Sequence, residues 1–173
     1  MQTAHPIGGY VHDAIDNAPI KGVLPLPLSA LKSGAPVLRN PANRHKAIAL
    51  TFEQFQYGWA NNLDEVEARK LYDTYHVPAS GEPLFEAGFA NFMLHGDTKV
   101  DVKKPEPGTT ADLSGTNDTT APRAFTHGSY EKQQKNPQVT EYVEIEGRGH
   151  SLILDHGWPD VAAPALTFIQ RFL

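Results

Sequence analysis

Between Phe52 and Leu63 the apolar residues Phe52, Phe55, Trp59 and Leu63 recur at steps of three and four, the spacing of one face of an α-helix. Thr51 precedes this run and Gln54 stands three residues on, a loose capping box that marks the helix start. A second helix is predicted over Asp64–Tyr75, with Val66, Leu71 and Tyr75 as its apolar face. The loop Pro78–Pro83 separates it from a third, Leu84–Leu94, which carries Leu84, Phe85, Phe89, Phe92 and Met93. Ahead of this helical layer, Pro19, Pro25, Pro27, Pro36 and Pro41 leave room only for a short helix at Leu28–Ser33, and Ala14-Ile15-Asp16 reads as a very short strand.

Beyond the polar connector 95–109 the period changes. Thr110–Ser114 is predicted as a strand, although Asp112 fits it poorly. Ala124–Gln134 reads as a helix, and Val139–Ile145 alternates apolar and polar residues as a strand does. Pro159 opens a last helix, Pro159–Phe172, with Val161, Leu166, Ile169 and Phe172 facing inward and Pro164 out of place. Strands alternating with helices predict an α/β architecture with a small parallel sheet.

Composition narrows the function classes. The chain has 173 residues, 40% of them hydrophobic and 20% charged, which suits one folded domain. A net charge of −5 provides no basic footprint, so nucleic acid is not an expected partner. No apolar run approaches the ~20 residues that span a bilayer, and the N-terminal residues have no signal-peptide pattern. With no cysteine there is no disulfide, thiolate metal site or cysteine nucleophile. A cytoplasmic location is expected, with no cofactor and no bound metal. His5 and His12 lack carboxylates at metal-ligand spacing, so they read as solvated.

The candidate chemistry lies in two glycine-flanked loops. Gly115-Thr116-Asn117-Asp118 follows one predicted strand and Gly147-Arg148-Gly149-His150 follows the next. A carboxylate and an imidazole presented at the same end of neighbouring parallel strands can form the acid and base of a serine-hydrolase triad, the carboxylate fixing the imidazole tautomer. On the residues alone, Asp118 also reads as a turn residue or helix cap, and His150 as a turn residue. Ser151 is too close to His150 to share a reacting atom with it, and Ser29, Ser33, Ser80, Ser114 and Ser129 lack the context of a nucleophile.

The order strand, Gly-x-x-Asp-x-x-x-Pro, helix, strand, Gly-His, helix resembles the end of an α/β-hydrolase domain of the esterase/lipase type. The segments Asn17-Ala18-Pro19-Ile20-Lys21-Gly22-Val23-Leu24-Pro25-Leu26-Pro27 and Gly147–Trp158 carry the resemblance furthest. It runs from about Ala14 to Leu173 and covers only the C-terminal part of the family's fold. The resemblance implies a truncated α/β-hydrolase-like fold in a single domain, 1–173, with a helical cap at 50–95 and a C-terminal core portion at 96–173. It implies Asp118 and His150 as acid and base of a carboxyl-ester hydrolase, and a small acyl ester as ligand. The rings of Phe52, Phe55, Trp59, Phe89 and Phe92 would line an acyl pocket beneath the cap, or else form its core.

The family's nucleophile elbow, Gly-x-Ser-x-Gly, has no match. Its nearest counterpart is Ala4-His5-Pro6-Ile7-Gly8-Gly9, with Pro6 in the place of the serine. A catalytically inactive remnant, or half of a split hydrolase acting as a binding module, is therefore the alternative to an esterase. The family's missing central strands also leave an open sheet edge, so a homodimer or an N-terminal partner chain is expected.

Overall fold

The computed structural model describes residues 11–24, 26–92, 100–101, 108–138 and 140–173. In chain order the elements are β1 (Val11–Ile15), α1 (Leu28–Leu38), β2 (Ala47–Ile48), α2 (Phe52–Trp59), α3 (Glu65–Tyr75), β3 (Ala79–Ser80), α4 (Glu82–Phe89), β4 (Thr109–Gly115), α5 (Arg123–Gln133), β5 (Thr140–Ile145) and α6 (Trp158–Gln170). Short 3-10 turns cover Pro41–His45 and Ala90–Phe92. A three-stranded parallel sheet in the order β1-β4-β5 forms the centre, while β2 and β3 pair antiparallel as a separate two-residue ribbon. This is the small parallel sheet flanked by helices that the sequence predicts. Among the described residues no helix is long and apolar enough to cross a membrane.

The middle strand, β4, is buried along its whole length. Side chains alternate across a sheet, so Ala111 and Leu113 share one face and Thr110, Asp112 and Ser114 the other. The first face packs on Val161, Ala165 and Phe168 of α6 and on Leu152 of the loop before it, with Ile15, Val143 and Ile169 at the margin. The second face is polar and is closed by α5. Asp112, out of place as an apolar position, fits as a polar one: its Oδ1 accepts from Asn17 Nδ2 at 3.3 Å and its Oδ2 from Gln133 Nε2 at 3.3 Å. Burial still disfavours its charge and pushes the carboxyl up to about 6.

The helical layer follows the predicted periodicity with local corrections. The capping box of α2 is complete, Gln54 N–H donating to Thr51 Oγ1 at 3.3 Å and Thr51 N–H to Gln54 Oε1 at 3.0 Å. Phe52 and Phe55 pack with Ala60, Ala68 and Leu71 into a second core between α2 and α3. On α3 it is Ala68 and Leu71 that turn inward, whereas Val66 and Tyr75 are exposed. The predicted short helix Leu28–Ser33 continues to Leu38 through Pro36, and Asn43 Nδ2 caps the carbonyls of Pro36 and Val37 at 3.5 and 3.1 Å. Pro83, read as the end of a loop, lies in the first turn of α4, where a missing N–H costs nothing. On α6, Ala165 and Phe168 are buried and Leu166 is exposed. The predicted positions Met93, Leu94 and Val139 lie outside the described residues.

The burial of Asp112 makes a signed prediction. A carboxyl raised to about 6 in the fold and near ~3.9 in the unfolded chain stabilises the fold fully only below ~4, and that contribution is lost as pH rises through 6. Asp112→Asn cannot ionise, and Gln133 can turn its carbonyl toward the new amide. Thermal melts should show the variant gaining on the parent by on the order of 2 kcal/mol between pH 4 and pH 7.5. A difference that does not change with pH would show that Asp112 does not bear this cost.

Candidate active site

Adjacent parallel strands bring their following loops together, and hydrogen bonds continue the β4–β5 ladder into those loops. Thr116 N–H donates to Ile145 O at 3.1 Å, Asn117 N–H to Arg148 O at 2.9 Å, and Gly147 N–H to Thr116 Oγ1 at 2.9 Å. Gly115 makes the close approach possible, since a Cβ there would run into the carbonyl of Arg148. Gly147 takes a left-handed φ of 72° to turn the second loop.

This arrangement brings His150 Nδ1 to 2.7 Å from Asp118 Oδ2, a charge-assisted hydrogen bond in length. The Asp118 side chain is wholly buried and that of His150 is 13% exposed. Asp118 Oδ1 accepts two further bonds, from Thr120 N–H at 2.6 Å and Ala121 N–H at 2.8 Å. Desolvation opposes the Asp118 charge, yet the bonds from His150 and the backbone outweigh it and hold the carboxyl below its ordinary range. Asp118 therefore also closes the turn ahead of α5, whose N-cap is Pro122, so the turn and triad readings of this residue describe one geometry and the helix-cap reading does not hold.

A third group completes the cluster. Asp16 follows β1 with a left-handed φ of 46°, uncommon for a residue with a Cβ. Its Oδ1 accepts from Gly115 N–H at 3.2 Å, and its Oδ2 stands 3.7 Å from His150 Nδ1. Burial, then the neighbouring Asp118 charge, push the Asp16 carboxyl up to about 9. Sequence reading placed Asp16 at the end of a strand without a role. The signal that singled out Asp118 and His150, a polar residue just past a parallel strand, was present at Asp16 as well. The ligand atoms of Asp16, Asp118 and His150 lie within 4.8 Å of one another, a grouping that could surround a divalent cation. The 2.7 Å contact is instead the length of a hydrogen bond.

The helical layer meets this cluster at the end of α2. The Trp59 ring stands edge-on to His150 with centroids 4.6 Å apart. Asn61 Nδ2 donates to Asn117 O at 2.8 Å and Asn62 Nδ2 to Gly147 O at 3.1 Å, so one asparagine holds each loop. The hydroxyls of Thr119 and Thr120 donate to the carbonyls of Tyr57 and Gly58, both at 2.6 Å, satisfying orphan acceptors at the α2 C-terminus. Of the aromatic candidates, Trp59 alone touches the cluster through a ring contact. Phe52 and Phe55 are in the helical core, whereas Phe89, the last residue of α4, and Phe92, in the 3-10 turn after it, are exposed. Ser151 donates to Asp155 Oδ2 at 2.9 Å and serves that carboxylate, which is also paired with Arg148. His12 Nε2 bonds Thr110 Oγ1 at 2.8 Å. His5 and the segment Ala4–Gly9 lie outside the described residues.

The structure superposes on a monoacylglycerol lipase from Paleococcus ferrophilus with a TM-score of 0.53 and 15% identity, covering 92% of this chain and 58% of that one. The chain has an α/β-hydrolase fold. It corresponds to a C-terminal portion of that fold and spans about 58% of the lipase's length. Two further α/β-hydrolases match more loosely: a Mycobacterium tuberculosis protein described as a non-heme bromoperoxidase, at TM-score 0.49 and 11% identity, and a serine hydrolase of carbazole degradation, at 0.38 and 12%. They cover 94% and 92% of this chain and 58% and 54% of their own. No family model and no curated protein matches the sequence.

The ion pair behind the histidine loop supports its conformation. Asp155 is fully buried and receives Arg148, Ser151 Oγ and Gly157 N–H. Arg148→Ala should cost about 3 kcal/mol, because it leaves a buried carboxylate with two neutral donors. Chemical denaturation measures this. A loss under ~1 kcal/mol would mean that the loop does not depend on the pair.

Proposed function

We propose that Asp118 and His150 are the acid and base of a hydrolase site of the carboxyl-ester type. The observation that carries this is the 2.7 Å contact between a buried, amide-clamped carboxylate and the histidine that follows the next parallel strand. In this reading Asp118 holds the proton on Nδ1 and leaves Nε2 as the basic nitrogen. His150 then takes the nucleophile's proton and returns it to the leaving alcohol, while Asp118 stabilises the imidazolium. The lipase superposition supports the fold in which such loops converge; the substrate class is our own extension. In this reading the helices of residues 50–92 act as a cap, with Trp59 presented at the histidine as the apolar contact for an acyl group.

The nucleophile comes from outside the described residues. Among those residues β1 pairs only with β4, so its other edge presents unpaired backbone groups. A strand from a partner chain, or from a second copy of this one, would add there. Absent a completing strand, the second reading applies, a binding module that retains the acid and base. It is favoured by the absence of a Gly-x-Ser-x-Gly segment from the sequence.

Hydrolysis of a short p-nitrophenyl ester tests the assignment. The chain alone should turn over close to background and take no serine-directed fluorophosphonate label. Any turnover it shows, alone or completed by a partner, should vanish in His150→Ala and fall by roughly 10³–10⁴ in Asp118→Asn. Turnover that survives His150→Ala overturns the proposal. Light scattering should find a dimer or a complex. A monodisperse monomer that melts sharply and binds no hydrophobic dye would show that the β1 edge is covered by the chain itself.

A further inference from the structure

Two carboxyl groups crowd one imidazole nitrogen, and hydrogen counting restricts what they can be. His150 Nδ1 can carry at most one proton, and Asp118 Oδ2 at 2.7 Å is placed to accept its hydrogen bond. Asp16 Oδ2, on a side chain only 4% exposed, has no N–H or O–H donor from any other described residue. Asp118 has two backbone amides as well as the imidazole, whereas Asp16 has one amide, Gly115 N–H at 3.2 Å. The two carboxyls have oxygens within 4.8 Å of each other; of two such acids out of water, the one with more hydrogen-bond donors keeps the charge and the other keeps a proton.

We propose that Asp16 and Asp118 form a carboxylic acid–carboxylate pair holding one proton at neutral pH, with the Asp16 hydroxyl donating to Asp118 and thereby positioning the carboxylate that His150 uses. Asp16 is thus a positioning residue that acts through Asp118. It rests on the acid–base reading above and adds to it the means by which a second buried acid coexists with the first. The left-handed φ of 46° fits the same role, since an uncommon backbone conformation is maintained where it aims a side chain. Among the described residues, the titratable groups facing Asp16 are Asp118 from the loop after β4 and His150 from the loop after β5; α2 brings the neutral Trp59 ring to the histidine. The direction of both carboxyl shifts agrees, Asp16 raised to about 9 and Asp118 lowered.

Carboxyl-carbon NMR titration of the full chain tests the pair without any substitution. The pair should release its protons in two separate steps, one below the ordinary carboxylate range and one near pH 9, the second largest at the Asp16 carbon. Both steps falling between about pH 3 and 5 would overturn the proposal. The sign of a substitution gives an independent reading. Asp16→Ala removes a donor, so the Asp118 midpoint should rise, and Asp16→Asn, whose amide can still donate, should bring it back. If Asp16 were ionised, Asp16→Ala would remove a like charge and the Asp118 midpoint would fall, which also overturns the proposal. Imidazole nitrogen shifts separate this result from the underlying reading: Asp118→Asn should release the Nδ1 proton from its hydrogen bond. If it does not, the acid–base assignment fails, whatever Asp16 does.

Discussion

The carboxylate of Asp118 is the constraint around which this structure is arranged. A charge with no exposed surface must have every lone pair answered, because an unpaired buried ion costs several kcal/mol. The two amides of Thr120 and Ala121 come from the turn that starts α5, so the helix cannot shift along the sheet without uncovering the charge. The imidazole comes from the neighbouring loop, which is held in register by the bonds of Asn117 N–H and Gly147 N–H. The glycine at 115 lets those loops touch. Strand pairing, loop conformation and helix placement thus answer to a single electrostatic requirement.

Other buried carboxyls meet the same requirement in different ways. Asp155 is neutralised by Arg148 and anchored by Ser151 and Gly157, which makes it a fixed structural ion behind the histidine. Asp112 has only neutral amide partners and lies with its carboxyl raised to about 6. Asp16 has one amide and another acid. A buried carboxyl with few donors favours the neutral form, and one with cationic or multiple amide donors favours the charged form. The environments of Asp16 and Asp118 push the two apart, and such a separation is characteristic of sites that move protons.

Much of this was legible in the sequence because strong local rules apply. The 3.6-residue period of the aromatics, the Thr51–Gln54 box and the alternation in Thr140–Ile145 each specify an element without help from the rest of the fold. Asp118 and His150 were legible for a related reason, since glycine-rich turns after strands mark where side chains converge. The failures are those of tertiary context. Pro36 was read as a helix breaker, but Asn43 caps the carbonyls beyond it and α1 persists. Asp112 was judged against an apolar sheet, whereas the face of β4 toward α5 is polar. Asn61 and Asn62 carry no motif; their role exists only because the end of α2 passes over both loops. Asp16 needed a partner 102 positions away to acquire meaning, and no local window contains both.

The placement of Trp59 links the helical layer to the chemistry. Phe55 stacks against Trp59 with ring centroids 6.3 Å apart, and Phe55 is itself packed on Tyr72 of α3. The ring that borders His150 is therefore the outer member of an aromatic chain rooted in the second core. Two threonine hydroxyls and two asparagine amides tie the same helix end to the acid and histidine loops. Because these bonds are to backbone carbonyls, a displacement of α2 would be transmitted to Asn117 and Gly147 as well as to the ring. The layer above the sheet and the hydrogen-bonded pair beneath it then move as one unit. That coupling fixes the imidazole and the Trp59 ring relative to each other.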